Sequence, residues 1–559
     1  MEYSNLTDEE RIKLLKTEQE DMIRCQIIRS FSNDELMMQY VFTIKYEQIR
    51  SSVTYSLLKI ENKIKVIESL TDENAITAAV MELPNIEHKI KMLSKIKSAH
   101  YKNMIIRSIK ESDEEIVKAL DSVEDEKYRA LLITRIKDDN LKLKYLQEIN
   151  DDINKSKIVM TIDNDDLKVE YIEKLEDRAA KSFLIASLKS KELRERYLQI
   201  YDKRYEKINV PDGMTIGMEI ECEGENSIDA YLISDILEGW DSKVDSSLQE
   251  GVEITSPILS NSKSDADNLF LVCNMLQELG EQITPRCGAH IHIGADYLKT
   301  KEAYANLIEL WSNNEELMFL LSNKPGEILR EGVIEYASPI SMRILKDIEE
   351  NRFDDYDTLD KKQFIKKVKN VQRVEKGMGT VRTGINFLTT DDEERHINTI
   401  EFRVSNGTID ANTWIENANL FGGLVAISQR ISDIQNKSIY ERDEKDKSIL
   451  EKFTKLKSKE LSDEERLDML LSLCVPEELK HIYIYRYTEN SKLLEQNKKI
   501  KEGLESLISD KPINFTTESI PKIASDKRMT EVKGAELELV KALQEHQNLI
   551  QTNENNLRL

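Results

Sequence analysis

Apolar positions recur with a long, fixed period through the first 205 residues. A charged residue followed by apolar residues three apart returns as KVIESL at 65–70, KMLSKI at 91–96, KALDSV at 118–123, KYLQEI at 144–149, EYIEKL at 170–175 and RYLQIY at 196–201, 26 or 27 residues apart each time. A second apolar landmark keeps that period at Phe31, Leu57, Leu83, Ile109, Ile136, Ile162 and Leu188. One period has room for two helices of about ten residues with short turns. Stacked helix pairs bury a continuous core, so the pattern predicts an α-solenoid of ~26-residue helix-pair repeats over 1–207. An irregular helical bundle is the competing arrangement.

The pattern then changes. No glycine precedes Gly213, and Pro84 is the only proline in the first 205 residues. Sixteen of the eighteen glycines lie between Gly213 and Gly423, together with Trp240, Trp311 and Trp414. Glycine-free, Leu- and Lys-rich sequence favours helix. Sequence rich in glycine has turns, strands or close backbone approaches. The segment 208–435 is expected to form a mainly antiparallel sheet with helices on its outer face. The helices fall at 262–282 and 301–321, where apolar residues stand three and four apart. Residues 436–559 return to helical spacing, interrupted by a loop around KPINFTTESIPKIASDKR and ending in a polar, frayed tail. The fold class is thus α+β and multidomain.

A net charge of −24 disfavours nonspecific nucleic-acid binding, which needs phosphates neutralised by Lys and Arg. No apolar run reaches the length of a membrane-spanning helix. The opening MEYSNLTDEERIKLL is acidic where a secretion signal would be basic and then apolar, so a cytoplasmic location is expected. Cys25, Cys222, Cys273, Cys287 and Cys474 are odd in number and lack CxxC spacing, which reads as free thiols.

Four short runs in the middle segment carry ionisable residues two apart, a spacing that puts both on one face of a strand. In Ile216–Glu221, Glu219 and Glu221 share a face and Met218 and Ile220 take the other. Carboxylates so close repel unless a cation lies between them, and oxygen ligands suit hard ions such as Mg²⁺. In Asp245–Pro257, Glu253 and Thr255 share a face, with Asp245 across a turn. Glu250 stands in that turn and is expected to meet water. In Cys287–Gly294, His290 and His292 share a face between glycines. In Asn398–Val404, Glu401 lies beside Arg403, either as an ordinary ion pair or as a ligand next to a cation that offsets phosphate charge. Singly each run is weak. Together, five acids and one or two imidazoles on one face describe a site for several Mg²⁺ ions; zinc would call for more Cys or His. Cys287 has no basic triad at hand and is read as an ordinary thiol. Cys222 points away from Glu221 and reads as core.

GMEIE, DSSLQEGVEITSP, CGAHIHIG and TIEFRVSNGT, in this order over about 213–425, resemble the amidoligase family. These are carboxylate–amine ligases with the glutamine synthetase fold, related also to glutamate–cysteine ligases. The resemblance implies that Glu219, Glu221, Asp245, Glu253, His290 and Glu401 hold two or three Mg²⁺ or Mn²⁺ ions. It implies that His292 approaches the phosphates of ATP and that Arg403, with Glu401, acts on the transferring γ-phosphoryl group. Arg382 and Asn386, in VRTGINF, stand where the family places a basic residue and an Asn ahead of the last acidic strand. Asp245 departs from glutamine synthetase, which uses Glu there. The reaction implied is ATP-dependent amide or isopeptide formation through an acyl phosphate. The carboxylate and amine partners stay open, with a protein or peptide held by the repeat array as one expectation and self-assembly as another. A phosphotransferase on the same fold, or an inactive scaffold, are the alternatives.

Overall fold

The computed structural model describes residues 3–199, 203–224, 227–245, 247–249, 251–327, 329–330, 332–372, 382–392, 396–458, 460–515 and 534–547. They form two compact units, Met1–Tyr197 and Leu198–Leu559. No helix among them is long and apolar enough to cross a membrane.

The first unit is a run of short helices. They begin at Asp8, Asp21, Asp34, Glu47, Ile60, Glu73, Ile86, Ala99, Asp113, Glu126, Asp139, Asp152, Asp165, Arg178 and Lys191, thirteen residues apart save for one step of fourteen. Two helices therefore occupy each long period of the sequence. Side chains of Asn33, Asp72, Asp125, Asp151 and Asn164 accept the free N–H groups at helix starts, which sets where each helix begins. Most successive helices pack together, and many also meet the next but one, as Asp152–Val159 meets Arg178–Ser187. The landmark residues Phe31, Leu57, Leu83, Ile109, Ile136, Ile162 and Leu188 are all buried.

A polar device accompanies this packing. The carboxylate of a first helical residue accepts the backbone N–H groups 24 and 25 residues further on, just ahead of the helix two places along. Asp21 takes Lys45 and Tyr46, and Asp34 takes Leu58 and Lys59. Glu47 takes Thr71 and Asp72, and Glu73 takes Lys97 and Ser98. The contact returns at Asp113, Glu126, Asp152 and Asp165. Each acid also sits at the positive end of its own helix dipole.

The second unit is built on a six-stranded sheet: β1 (Ile216–Glu223), β2 (Asp241–Lys243), β3 (Gly251–Thr255), β4 (Gly288–Gly294), β5 (Ile385–Asn386) and β6 (Thr399–Asn406). The order is β2-β3-β1-β4-β6-β5, and every pair is antiparallel. Met218, Ile220 and Cys222 of β1 are buried on one face. Helices cover that face. Trp311 lies 5.5 Å from the Phe402 ring of β6, and Phe402 stacks at 4.6 Å on Phe421 of the long helix Ala411–Gln435.

The helix expected at 262–282 spans Lys263–Glu278, capped by Ser262. The one expected at 301–321 is broken into Lys301–Asn313 and Glu315–Leu321. The Asn313 and Asn314 amides bond back to the carbonyls of Glu309 and Leu310, and Asn314 leaves helical geometry. The C-terminal helices Glu444–Leu456, Asp463–Cys474, Lys480–Gln496 and Lys498–Leu507 belong to the same compact unit as the sheet. Buried Arg486 ties them in, pairing with Glu416 and bonding Asn417 Oδ1 at 2.6 Å. Most of the loop expected after Lys511 and the frayed tail beyond 547 lie outside the described residues, as does Glu250.

Candidate functional site

Strand register gathers the ionisable residues on the sheet face opposite those helices. Directly paired residues of antiparallel strands point the same way. Glu221 pairs with Glu253 across β1 and β3, and Glu219 with His290 across β1 and β4. His292 pairs with Glu401, which pairs with Asn386. The β4–β6 register shifts between Ala289 and Ile291, a bulge beside His290. Asp245 enters from the turn between β2 and β3, where its carboxylate accepts the Ser247 N–H at 2.7 Å. One cavity of about 330 Å³ is lined by Glu219, Glu221, Asp245, Glu253, His290, His292, Arg382, Asn386, Glu401 and Arg403, all ten residues singled out by sequence.

Within it, potential ligand atoms fall into two groups, Glu219–His292–Glu401 and Glu221–Asp245–Glu253, the atoms of each within 4.8 Å of one another. The two carboxylates of β1 thus serve different groups. His292, expected at the phosphates, stands in the first. His290 lies between the groups, with Nδ1 2.9 Å from Glu219 Oε2 and Nε2 3.8 Å from Glu221 Oε1. Thr399 Oγ1 meets His292 Nδ1 at 3.1 Å and turns Nε2 toward Glu219. The Nε2 atoms of both imidazoles are buried without a hydrogen-bond partner among the described residues. Orphaned ring nitrogens facing clustered carboxylates fit a divalent cation, and the oxygen-rich set suits Mg²⁺ or Mn²⁺.

The electrostatics follow from the same crowding. Burial opposes charge on Glu219, but the two imidazoles beside it, His290 Nδ1 at 2.9 Å and His292 Nε2 at 3.2 Å, outweigh that and hold its carboxyl well below the usual range. Burial, and then the negative charges of Glu219, Asp245 and Glu221, push Glu253 up to about 7; Lys243, 3.9 Å away, opposes only weakly. Burial also opposes charge on Glu401, yet Arg403 and both imidazoles keep it ionised. Arg403 donates to Glu401 and to the Tyr336 carbonyl, and Asn386 Nδ2 reaches Glu401 Oε2 at 2.6 Å. Cys287 is buried, its thiol raised to about 11 by burial, which agrees with its reading as an ordinary thiol.

Of the lining residues that escaped the sequence pattern, Arg286, Arg330 and Tyr336 bring charge or a phenol to the cavity. Arg286 holds Glu223 through two bonds of 2.9 and 2.6 Å. Its place just before Cys287 and Gly288 was the one available signal. Arg330 and Tyr336 come from a connecting segment with no strand alternation to mark them. Arg330 lies across Gly288, where an added Cβ would meet Nη1 at 2.3 Å, so a larger residue there would displace the guanidinium. A larger cavity, about 840 Å³, adjoins the first and shares His292 and Ile397 with it; Asp212, Tyr297, Lys299 and Asp433 line its far side.

The antiparallel sheet thus carries helices behind and, in front, two groups of potential ligands, one with an imidazole and one of carboxylates alone. A family model described as "Putative amidoligase enzyme" matches residues 223–425, the family that the four motifs resemble. The match supports a ligase-type enzyme and takes in Asp245, Glu253, both histidines, Arg382, Asn386, Glu401 and Arg403, starting just after Glu221. No curated protein and no solved structure matches the chain significantly.

Proposed function

We propose that the second unit is an ATP-dependent carboxylate–amine ligase on a glutamine-synthetase-like sheet. The observation that carries this is the pair of ligand groups sharing β1, with Arg382 and Arg403 lining the same cavity. Acids gathered to hold cations, beside guanidiniums that meet oxyanions, match a reaction that moves a phosphoryl group.

The substrate carboxylate attacks the γ-phosphorus of ATP, the bond to the bridging oxygen breaks, and ADP leaves. The amine then attacks the acyl carbon, phosphate departs, and loss of a proton leaves an amide. Glu219, His292 and Glu401 would hold one divalent ion, and Glu221, Asp245 and Glu253 another, with His290 spanning both. Bound there, such ions would offset phosphate charge. Arg403, held by Glu401 and the Tyr336 carbonyl, presents its charge to the transferring phosphoryl group. Asn386 fixes the Glu401 carboxylate. The larger cavity beyond His292 has room for the nucleoside, which leaves the smaller one for the acid. In the first unit, the thirteen-residue helix spacing and its carboxylate contacts support a solenoid, which we read as a surface for a protein or peptide substrate.

Calorimetry with a non-hydrolysable ATP analogue, with and without Mg²⁺, tests the reading. Binding should require Mg²⁺ and weaken roughly tenfold or more in Glu219→Ala and Glu401→Ala, each of which removes a charged ligand. Absence of binding to the intact, folded protein sinks the reading.

A further inference from the structure

Arg330 is nearly inaccessible, its side chain 3% exposed, yet it lines the smaller cavity. Its guanidinium makes one marginal bond, from Nη1 to the Arg286 carbonyl at 3.5 Å. Its nearest carboxylate, Glu221 Oε2, stands 4.0 Å from Nη1, beyond hydrogen-bond reach, and that oxygen already accepts the Gly288 N–H at 2.5 Å. Nε and Nη2 find no partner among the described residues. Those two donors lie side by side on one edge of the guanidinium, the edge that takes both oxygens of a carboxylate. A buried cation with that edge empty is costly unless an anion completes it.

The neighbouring guanidiniums differ. Arg286 is occupied by Glu223, and Arg403 by Glu401 and the Tyr336 carbonyl. Arg382 lies over the Tyr336 ring, 5.3 Å from its centre. Arg330 alone of these presents a buried pair of adjacent donors without a partner among the described residues, Arg382 being exposed.

Position indicates which anion. Arg330 crosses Gly288 at one end of β4, whereas His292, where the larger cavity opens, is four residues along. In an extended strand that is roughly 13 Å. A phosphoryl group arriving at His292 would stay remote from Arg330, while an acid seated in the smaller cavity would extend toward it. We propose that Arg330 is a specificity-determining residue that binds a second carboxylate of the acid substrate, so that the enzyme uses dicarboxylic acids in preference to monocarboxylic ones. This rests on the ligase reading for the role of the acid, but the binding it predicts does not depend on turnover.

The test is calorimetry on the full-length protein with Mg²⁺ and the ATP analogue, using succinate, glutarate, L-glutamate, butyrate and orthophosphate as probes. At least one dicarboxylate should bind, and butyrate should bind roughly tenfold to hundredfold more weakly, the range expected for one charge-assisted pair. Arg330→Gln should abolish that preference while nucleotide binding stays within about twofold, since the residue is remote from the proposed nucleotide cavity. Arg330→Lys keeps the charge without the paired donors and should lose most of the preference, which decides the matter if Arg330→Gln does not fold. The proposal is overturned if the protein binds nucleotide but no dicarboxylate, if the preference survives in Arg330→Lys, or if orthophosphate alone depends on Arg330. Should the nucleotide not bind, the ligase reading fails separately, and the same probes without nucleotide judge Arg330.

Discussion

Glu281 shows how one side chain responds to its surroundings away from the carboxylate face. It is buried beside Gly224, and neither oxygen has a conventional hydrogen-bond partner among the described residues; the Cys222 thiol comes near. Burial raises its carboxyl to about 7. The folded value therefore exceeds the unfolded one, so the neutral acid's contribution to stability is full below about pH 4.5 and is lost as pH rises through about 7. Glu281→Gln, neutral throughout, should match the native protein near pH 5 and melt higher at pH 8, by a few degrees for a gain of about 1 kcal/mol. A difference that is constant from pH 5 to 8 would place the titration elsewhere. Residues of this kind were invisible in sequence, where Glu281 is one acid among many. Glu219, Glu221, His290, His292, Glu401 and Arg403 were legible because a two-residue spacing on a strand has only one geometric meaning. Arg330 reaches the same cavity from a connecting segment, and nothing in local spacing records where such a segment returns.

Among elements, the helices of the first unit show that period and mechanism were separable. Apolar landmarks revealed the long repeat because buried positions must recur. They did not reveal the carboxylate contacts, since an acid at a helix start is already explained by its own helix. Asp34 is the strongest case, being buried and accepting Leu58 N–H at 2.9 Å, Lys59 N–H at 2.8 Å and Asn62 Nδ2 at 3.1 Å. Burial opposes its charge, but those bonds lower its carboxyl below the usual value. Asp34→Ala should destabilise the first unit by about 1–3 kcal/mol, because two backbone donors lose their acceptor. Asp34→Asn, which keeps one oxygen, should cost less. Urea unfolding followed by circular dichroism measures both; equal stability of all three proteins would show that packing alone sets the helix spacing. In the helix expected at 301–321, apolar periodicity continued through Asn313 and Asn314, where Asn314 leaves helical geometry, so the break is one that periodicity does not register.

For the whole molecule the question is why a ligase-type domain should share a chain with a helical array. The two units have separate cores, and the array's carboxylate contacts close on residues of the array itself. The ionisable groups that line the candidate site among the described residues all come from the second unit. A chain shortened to residues 198–559 should therefore bind the Mg²⁺–nucleotide analogue within about twofold of the intact protein, as expected when distant parts act independently. It should also convert a dicarboxylate to its hydroxamate with hydroxylamine at an undiminished rate, because so small an amine needs no docking surface. A protein or peptide substrate would behave differently if the array holds it. KM should rise roughly in proportion to the lost effective concentration, tenfold or more for a tethered substrate, while kcat stays near its original value. Equal KM values for the shortened and intact chains would remove recruitment from the array's role. A fall in kcat with the small amine would instead mean that the array shapes the catalytic unit.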